Sequence, residues 1–313
     1  MLNFRQLFLA ACASAALVLT GCSTTGDVDA THLTIATTES SLDHATALAV
    51  AEYVADQDIN VEIQHYDEPN EVFAALEAET ETAADHATVG VVTAHQDPTA
   101  EDTPLRVPDS LEIFAQAPAE LGLVPAASTV TAARFAQQQA EDEEHPLAPA
   151  CAQQTWLHAH TPEHEMEATA AALADLGCEP AFEAAQPTDA ASYASMVERI
   201  TLEHDTVALL YGVDPVITDH GFATLDVVTD QWPHSNVIAV ASPELEDPLT
   251  DQVDAVLDVL DSDAATSLLR GYHNAHTSTS DLEYTVDNAI RYWLSTHGLV
   301  EHETVTDIST DNA

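Results

Sequence analysis

The chain contains no lysine. Its 313 residues carry six arginines against 54 aspartates and glutamates, a formal charge of −48 with histidine neutral. Most of these carboxylates have no cation to pair with, so a folded form must spread them over a solvated surface. Such a fold gains from salt, which screens repulsion between like charges. The 46% hydrophobic content can still bury a sizeable core, which argues against global disorder. The length fits one large or two medium domains. The charge excludes nucleic acid and anionic membrane faces as partners, because both need Lys or Arg to meet phosphate. It does not exclude small cations.

Residues 1–21 read as a targeting segment. Arg5 precedes an apolar stretch from Leu7 to Thr20, about 14 residues, too short to span a bilayer and of signal-peptide length. The stretch ends in Leu19-Thr20-Gly21-Cys22, which resembles the lipobox of bacterial lipoproteins. The resemblance implies cleavage before Cys22, lipidation of that cysteine, and attachment to the outer face of the cell membrane. Residues 22–31 then form a tether. No later run is long and apolar enough for a second membrane anchor. With Cys12 removed and Cys22 lipidated, Cys151 and Cys178 remain, and an oxidising location favours a disulfide between them.

The rest of the chain alternates strand and helix signals. Leu33-Thr34-Ile35-Ala36 is a strand, the polar loop Thr37–Ser41 can cap a helix, and Leu42, Ala45, Ala49 and Tyr53 recur at helical spacing. A strand at Val61–His65, a helix opened by Pro69 and a strand at Val89–Val92 follow, giving β-α-β-α-β. Strands are expected at 111–114 and 121–124, and a surface loop at 137–149. A second unit has a strand at Thr155–Leu157, helices at 163–176 and 189–203, and a strand at Val207–Tyr211. Further strands at 222–228 and 236–240 lead to a helical tail with apolar faces at Val253–Leu260, Leu268-Leu269 and Leu282–Leu294. These patterns predict an α/β, two-lobed chain: 32–117 in the first lobe, 118–228 in the second, 229–300 back in the first, and 301–313 as a tail. The crossings fall near 115–122 and 226–236, with a ligand cleft between the lobes.

The order and spacing of these segments resemble the solute-binding proteins of ABC importers for osmoprotectants, the glycine betaine/choline/carnitine class. The resemblance rests on Leu33–Tyr53, Glu71-Val72-Phe73-Ala74-Ala75-Leu76, Asp226–Val240 with Pro233 and Asn236, and the tail from Asp254 to Leu299. It implies a type II periplasmic-binding-protein-like fold with a hinge. It also implies a quaternary ammonium ligand in an aromatic cage and delivery of that ligand to a permease and ATPase. Many relatives carry a cage tyrosine in a D-x-Y-P-E-Y-T-G segment. This chain has Ala84–Thr93 there, with no tyrosine near Thr88. Either the solute differs from glycine betaine or the cage comes from elsewhere.

A quaternary ammonium cannot be hydrogen-bonded and is held by ring faces. Trp156 and Tyr211, at strand ends, and Trp232, in a turn near a crossing, are the candidate rings. Tyr66 is a weaker one, while Tyr193 and Trp293 read as core. Glu39 and Ser40 after the first strand, and Asp214 after Tyr211, are candidate polar contacts, each with capping as its plainer role. Arg106, Arg134 and Arg199 are the cations available for a ligand carboxylate, though each suits relief of local repulsion better. A rival reading makes His158, His160 and His164 ligands in a Zn or Ni lipoprotein, and another makes the chain a structural surface lipoprotein. No nucleophile elbow, phosphate-binding glycine loop or Cys-His pair points to an enzyme, and no cofactor is expected.

Overall fold

A computed structural model describes residues 32–79, 86–95, 105–139, 151, 153–158, 163–184, 190–225, 232–243, 245, 247–277 and 285–301. The expected signal segment, lipid-accepting Cys22, tether, and tail beyond residue 301 lie outside the described residues, as do His160 and the side chain of Tyr193.

Among the described residues ten strands form two five-stranded sheets. The first contains β1 (His32–Thr38), β2 (Asn60–Tyr66), β3 (His86–His95), β4 (Glu112–Gln116) and β10 (Ser235–Ala241), in the order β2-β1-β3-β10-β4. The second contains β5 (Leu123–Ala127), β6 (Thr155–His158), β7 (Phe182–Ala184), β8 (Thr206–Tyr211) and β9 (Ala223–Thr224), in the order β7-β6-β8-β5-β9. Both follow one plan. Three strands run parallel, a returning strand lies antiparallel beside the third, and a fifth closes the edge antiparallel to that strand.

The returning strand β10 is buried at all seven positions. Its run Ser-Asn-Val-Ile-Ala-Val-Ala is what a strand covered on both faces requires. One face of the first sheet packs against α1 (Ser41–Ala55), α7 (Asp247–Asp258), α8 (Ser262–Thr277) and α9 (Val286–Thr296) through Leu42, Val50, Val253, Leu257, Leu268 and Trp293. The other face meets α2 (Pro69–Glu79) through Val72, Phe73 and Leu76. A Cβ built on Gly90 of β3 would stand 3.0 Å from both Val72 and Leu76, so glycine is what admits α2 at this distance. The second sheet is covered by α3 (Thr129–Gln139) and α4 (Glu163–Asp175) on one side, and by α5 (Ala190–Leu202) and α6 (Pro215–Asp219) on the other. Cys151 and Cys178 are bonded to each other, with Cα atoms 5.5 Å apart.

Helix α3 is absent from the expectations, which left 129–136 unassigned and made 137–149 a loop. Ser128 starts it, its Oγ accepting from the Thr131 amide at 3.2 Å. The strand expected at 222–228 is present only as β9, an edge strand, and 226–228 lie outside the described residues.

The chain leaves the first sheet after Gln116 and enters the second at Leu123, and β10 brings it back. The two passages lie side by side. Leu121 and Ser235 exchange amide–carbonyl bonds of 2.6 and 2.5 Å, and Asn236 Nδ2 donates to the carbonyls of Ala117 and Ala119. A paired crossing of this kind is suited to a hinge.

Candidate functional site

The polar loop after β1 builds the first half of the site. Ser40 caps α1, its Oγ accepting from the Asp43 amide at 3.2 Å, and its own amide donates to Thr38 Oγ1. This turns the first helical residues toward the sheet's C-terminal edge and leaves Asp43 fully buried. The Asp43 carboxylate accepts from the Thr38 hydroxyl at 2.6 Å and the Thr93 hydroxyl at 2.5 Å. Burial pushes its proton affinity up, and these hydroxyls pull it part of the way back.

The second half comes from the other sheet. Glu165, in the first turn of α4, is 4% exposed. Burial raises its pKa to about 7; the Asp43 charge adds to the rise, while the Ser235 and Tyr211 hydroxyls oppose it. Tyr211 ends β8, and its phenol is held far above its ordinary range by burial first, then by the charges of Glu165, Asp43 and Glu68. Oε1 of Glu165 and the Tyr211 hydroxyl are buried without a well-formed hydrogen bond. Glu68, after β2, accepts from the Glu163 amide at the start of α4 through both carboxylate oxygens, at 3.1 and 3.3 Å, and so ties the lobes together. Asp43, Glu165, Tyr211 and Glu68 thus converge from both lobes beside the crossing at Ser235.

No described arginine enters this set. Arg106 pairs with Asp109, Arg134 donates to the His204 carbonyl, Arg199 pairs with Glu183 and Glu203, Arg270 with Asp219, and Arg291 with Glu52 and Asp56, all on exposed surfaces. The Arg270–Asp219 pair is bidentate and joins α8 of the first lobe to α6 of the second.

The candidates from sequence divide. Tyr211 is at the convergence and Ser40 is part of its scaffold. Glu39 is exposed at the rim, its amide donating to the Tyr66 carbonyl at 3.2 Å. Asp214 caps α6, accepting from the Val216 amide at 2.9 Å. Trp156 is 0% exposed in the core of the second lobe, edge-on to Phe182, so neither ring face is open to a ligand. Trp232 is also core, 3% exposed, and its indole N–H is spent on the Leu123 carbonyl at 2.6 Å. Tyr66 leans along β2, donating to Gln64 Oε1. The acids Asp43 and Glu165 were not among the candidates. Among so many carboxylates nothing marks these two, except that each lies within the first turn of its helix.

Beside the site, His44 meets His65 edge-on at 4.4 Å and its Nδ1 faces the Tyr272 hydroxyl at 2.9 Å; the His276 ring lies 4.4 Å from Tyr272. Burial, then the neighbouring histidines, pushes His44 down to about 4; burial and then His276 do the same to His273. Among the described residues no group of three or more His, Cys, Asp or Glu side chains is arranged to hold a metal ion. None of the described helices is long and apolar enough to cross a membrane.

No protein-family model matches this sequence, and no curated protein does. Solved structures do match in shape. A glycine betaine/carnitine/choline ABC transporter structure superposes with a TM-score of 0.55 at 12% identity, covering 86% of this chain and 98% of its own. Lactococcal OpuAC, closed and complexed with glycine betaine, gives 0.57 at 10% identity over 85% and 96%. An ABC-transporter choline binding protein in complex with choline gives 0.56 at 13% identity over 85% and 89%. The fold is the two-lobed periplasmic-binding-protein-like one. At these identities the likeness concerns the fold alone.

Proposed function

We propose that this chain is the extracytoplasmic receptor of an ABC importer. It closes on a small amine-headed solute, the class that includes the quaternary osmoprotectants glycine betaine and choline, and hands it to a permease and its ATPase. Cys22 anchors it to the membrane through lipid, and the protein performs no chemistry of its own. The observation that carries this reading is the convergence of Asp43 and Glu165, two buried carboxyl groups from opposite lobes, beside Tyr211 and the hinge. Two such groups repel each other when ionised, and a cation between them removes that repulsion. The fold shared with the betaine- and choline-complexed structures supports the same placement. Titration calorimetry of the purified protein with choline and glycine betaine tests it. Saturable one-to-one binding that is weakened by Asp43→Asn is expected, and heats of dilution alone from both solutes would refute the quaternary-amine assignment.

A further inference from the structure

The inference here rests on the receptor reading and narrows its ligand. A quaternary ammonium presents only methyl groups and requires ring faces. Trp156 and Trp232 are buried in the second lobe's core, and Tyr66 is engaged along its own strand. Of the ring candidates whose side chains are described, Tyr211 alone reaches the convergence. The polar inventory points elsewhere. Glu165 is 4% exposed, and its Oε1 and the Tyr211 hydroxyl are buried without a well-formed bond. Asp43 is already served by Thr38 and Thr93, so it contributes charge more than open acceptor capacity. A trimethylated head would give Glu165 no donor beyond the neighbouring Tyr211 and Ser235 hydroxyls, and an under-served buried carboxylate is costly. An ammonium with N–H bonds would donate to both Glu165 and Tyr211. A ligand carboxylate has no arginine to meet among the described residues and would face Asp43, Glu68 and Glu165.

We infer that the cleft selects a cation whose ammonium carries N–H donors and which bears no carboxylate, with Glu165 and Tyr211 accepting from it and Asp43 supplying the opposing charge. The test is a two-by-two set of probes on the whole protein by calorimetry at pH 8: ethanolamine against choline, and glycine against glycine betaine. Ethanolamine is expected to bind at least about tenfold more tightly than choline, and both more tightly than their carboxylate counterparts. Glu165→Gln is expected to erase most of the ethanolamine preference. Tyr211→Phe, which keeps the ring, is expected to reduce it less. Choline binding more tightly than ethanolamine would overturn the N–H selection and leave the receptor reading standing. So would glycine betaine binding that is indifferent to Glu165→Gln. Silence from all four probes on a folded sample would remove this inference and count against the amine-receptor reading itself.

Discussion

Glu165 carries two opposite pH dependences. Its folded form holds a proton up to about pH 7, whereas an unfolded glutamate releases it near 4.5. The folded state therefore binds more protons between those values, and the group's contribution to stability falls as pH rises, by on the order of 3 kcal/mol across the window. His44 and His273 act the other way. Their folded values near 4, against 6.5 unfolded, mean that stability is lost as pH falls through that range. The trends overlap, so the readout is a difference. Glu165→Gln should gain in melting temperature over the wild type progressively from pH 5 to about 7.5, and a pH-independent difference would show that Glu165 is not held protonated. Affinity for a cation should rise over the same interval, because binding needs the ionised form.

Among the elements, the disulfide and Gly90 give separable predictions. Cys151 and Cys178 are 27 residues apart and join the start of β6's segment to the turn after α4. Losing that bridge in Cys151→Ser should cost roughly 3–4 kcal/mol, read as a lower urea midpoint. Gly90→Ala should cost about 1–3 kcal/mol by forcing Val72 and Leu76 off β3, while affinity per folded molecule stays unchanged. The elements show what the sequence could reveal. β1, β8 and β10 were legible because buried strands need continuous apolar runs, α1 because Ser40 can cap a face of regular period, and α9 because Val286, Ile290 and Leu294 recur at helical spacing. Helix α3 was not, since Thr129-Val130-Thr131 favours strand locally, and helix forms only once Phe135 finds the core. The site was harder still. Trp156 and Tyr211 have the same strand-end signature, and tertiary packing alone decides that one ring is enclosed while the other meets Glu165. Asp43 is distinguished from other acids by Thr93, fifty residues away in the chain.

For the whole molecule, charge and closure dominate. With a net charge of −48, repulsion is distributed over both lobes. Screening shortens from about 10 Å at 0.1 M salt to about 3 Å at 1 M. The melting temperature should therefore rise from low to molar NaCl, and a flat response would show that the carboxylates are too well separated to matter. The lobes are tied by Glu68 on the Glu163 amide and by Arg270 on Asp219. The Arg270 pair is exposed, so Arg270→Ala should change stability by less than about 1 kcal/mol. It should also speed solute release in stopped-flow measurements, since the tie spans the lobes.

The most direct test of the central claim, that the two lobes close on a small amine-headed solute, is a thermal-shift titration in NaCl. The panel would be choline, glycine betaine, carnitine, ethanolamine, Zn²⁺ and Ni²⁺. A receptor of this kind should show a selective, saturable rise with an organic amine, approaching about 2.7 kcal/mol at a hundredfold excess over its dissociation constant, and weakened by Tyr211→Ala in a folded protein. A rise with metal alone, or none with any compound, would contradict it.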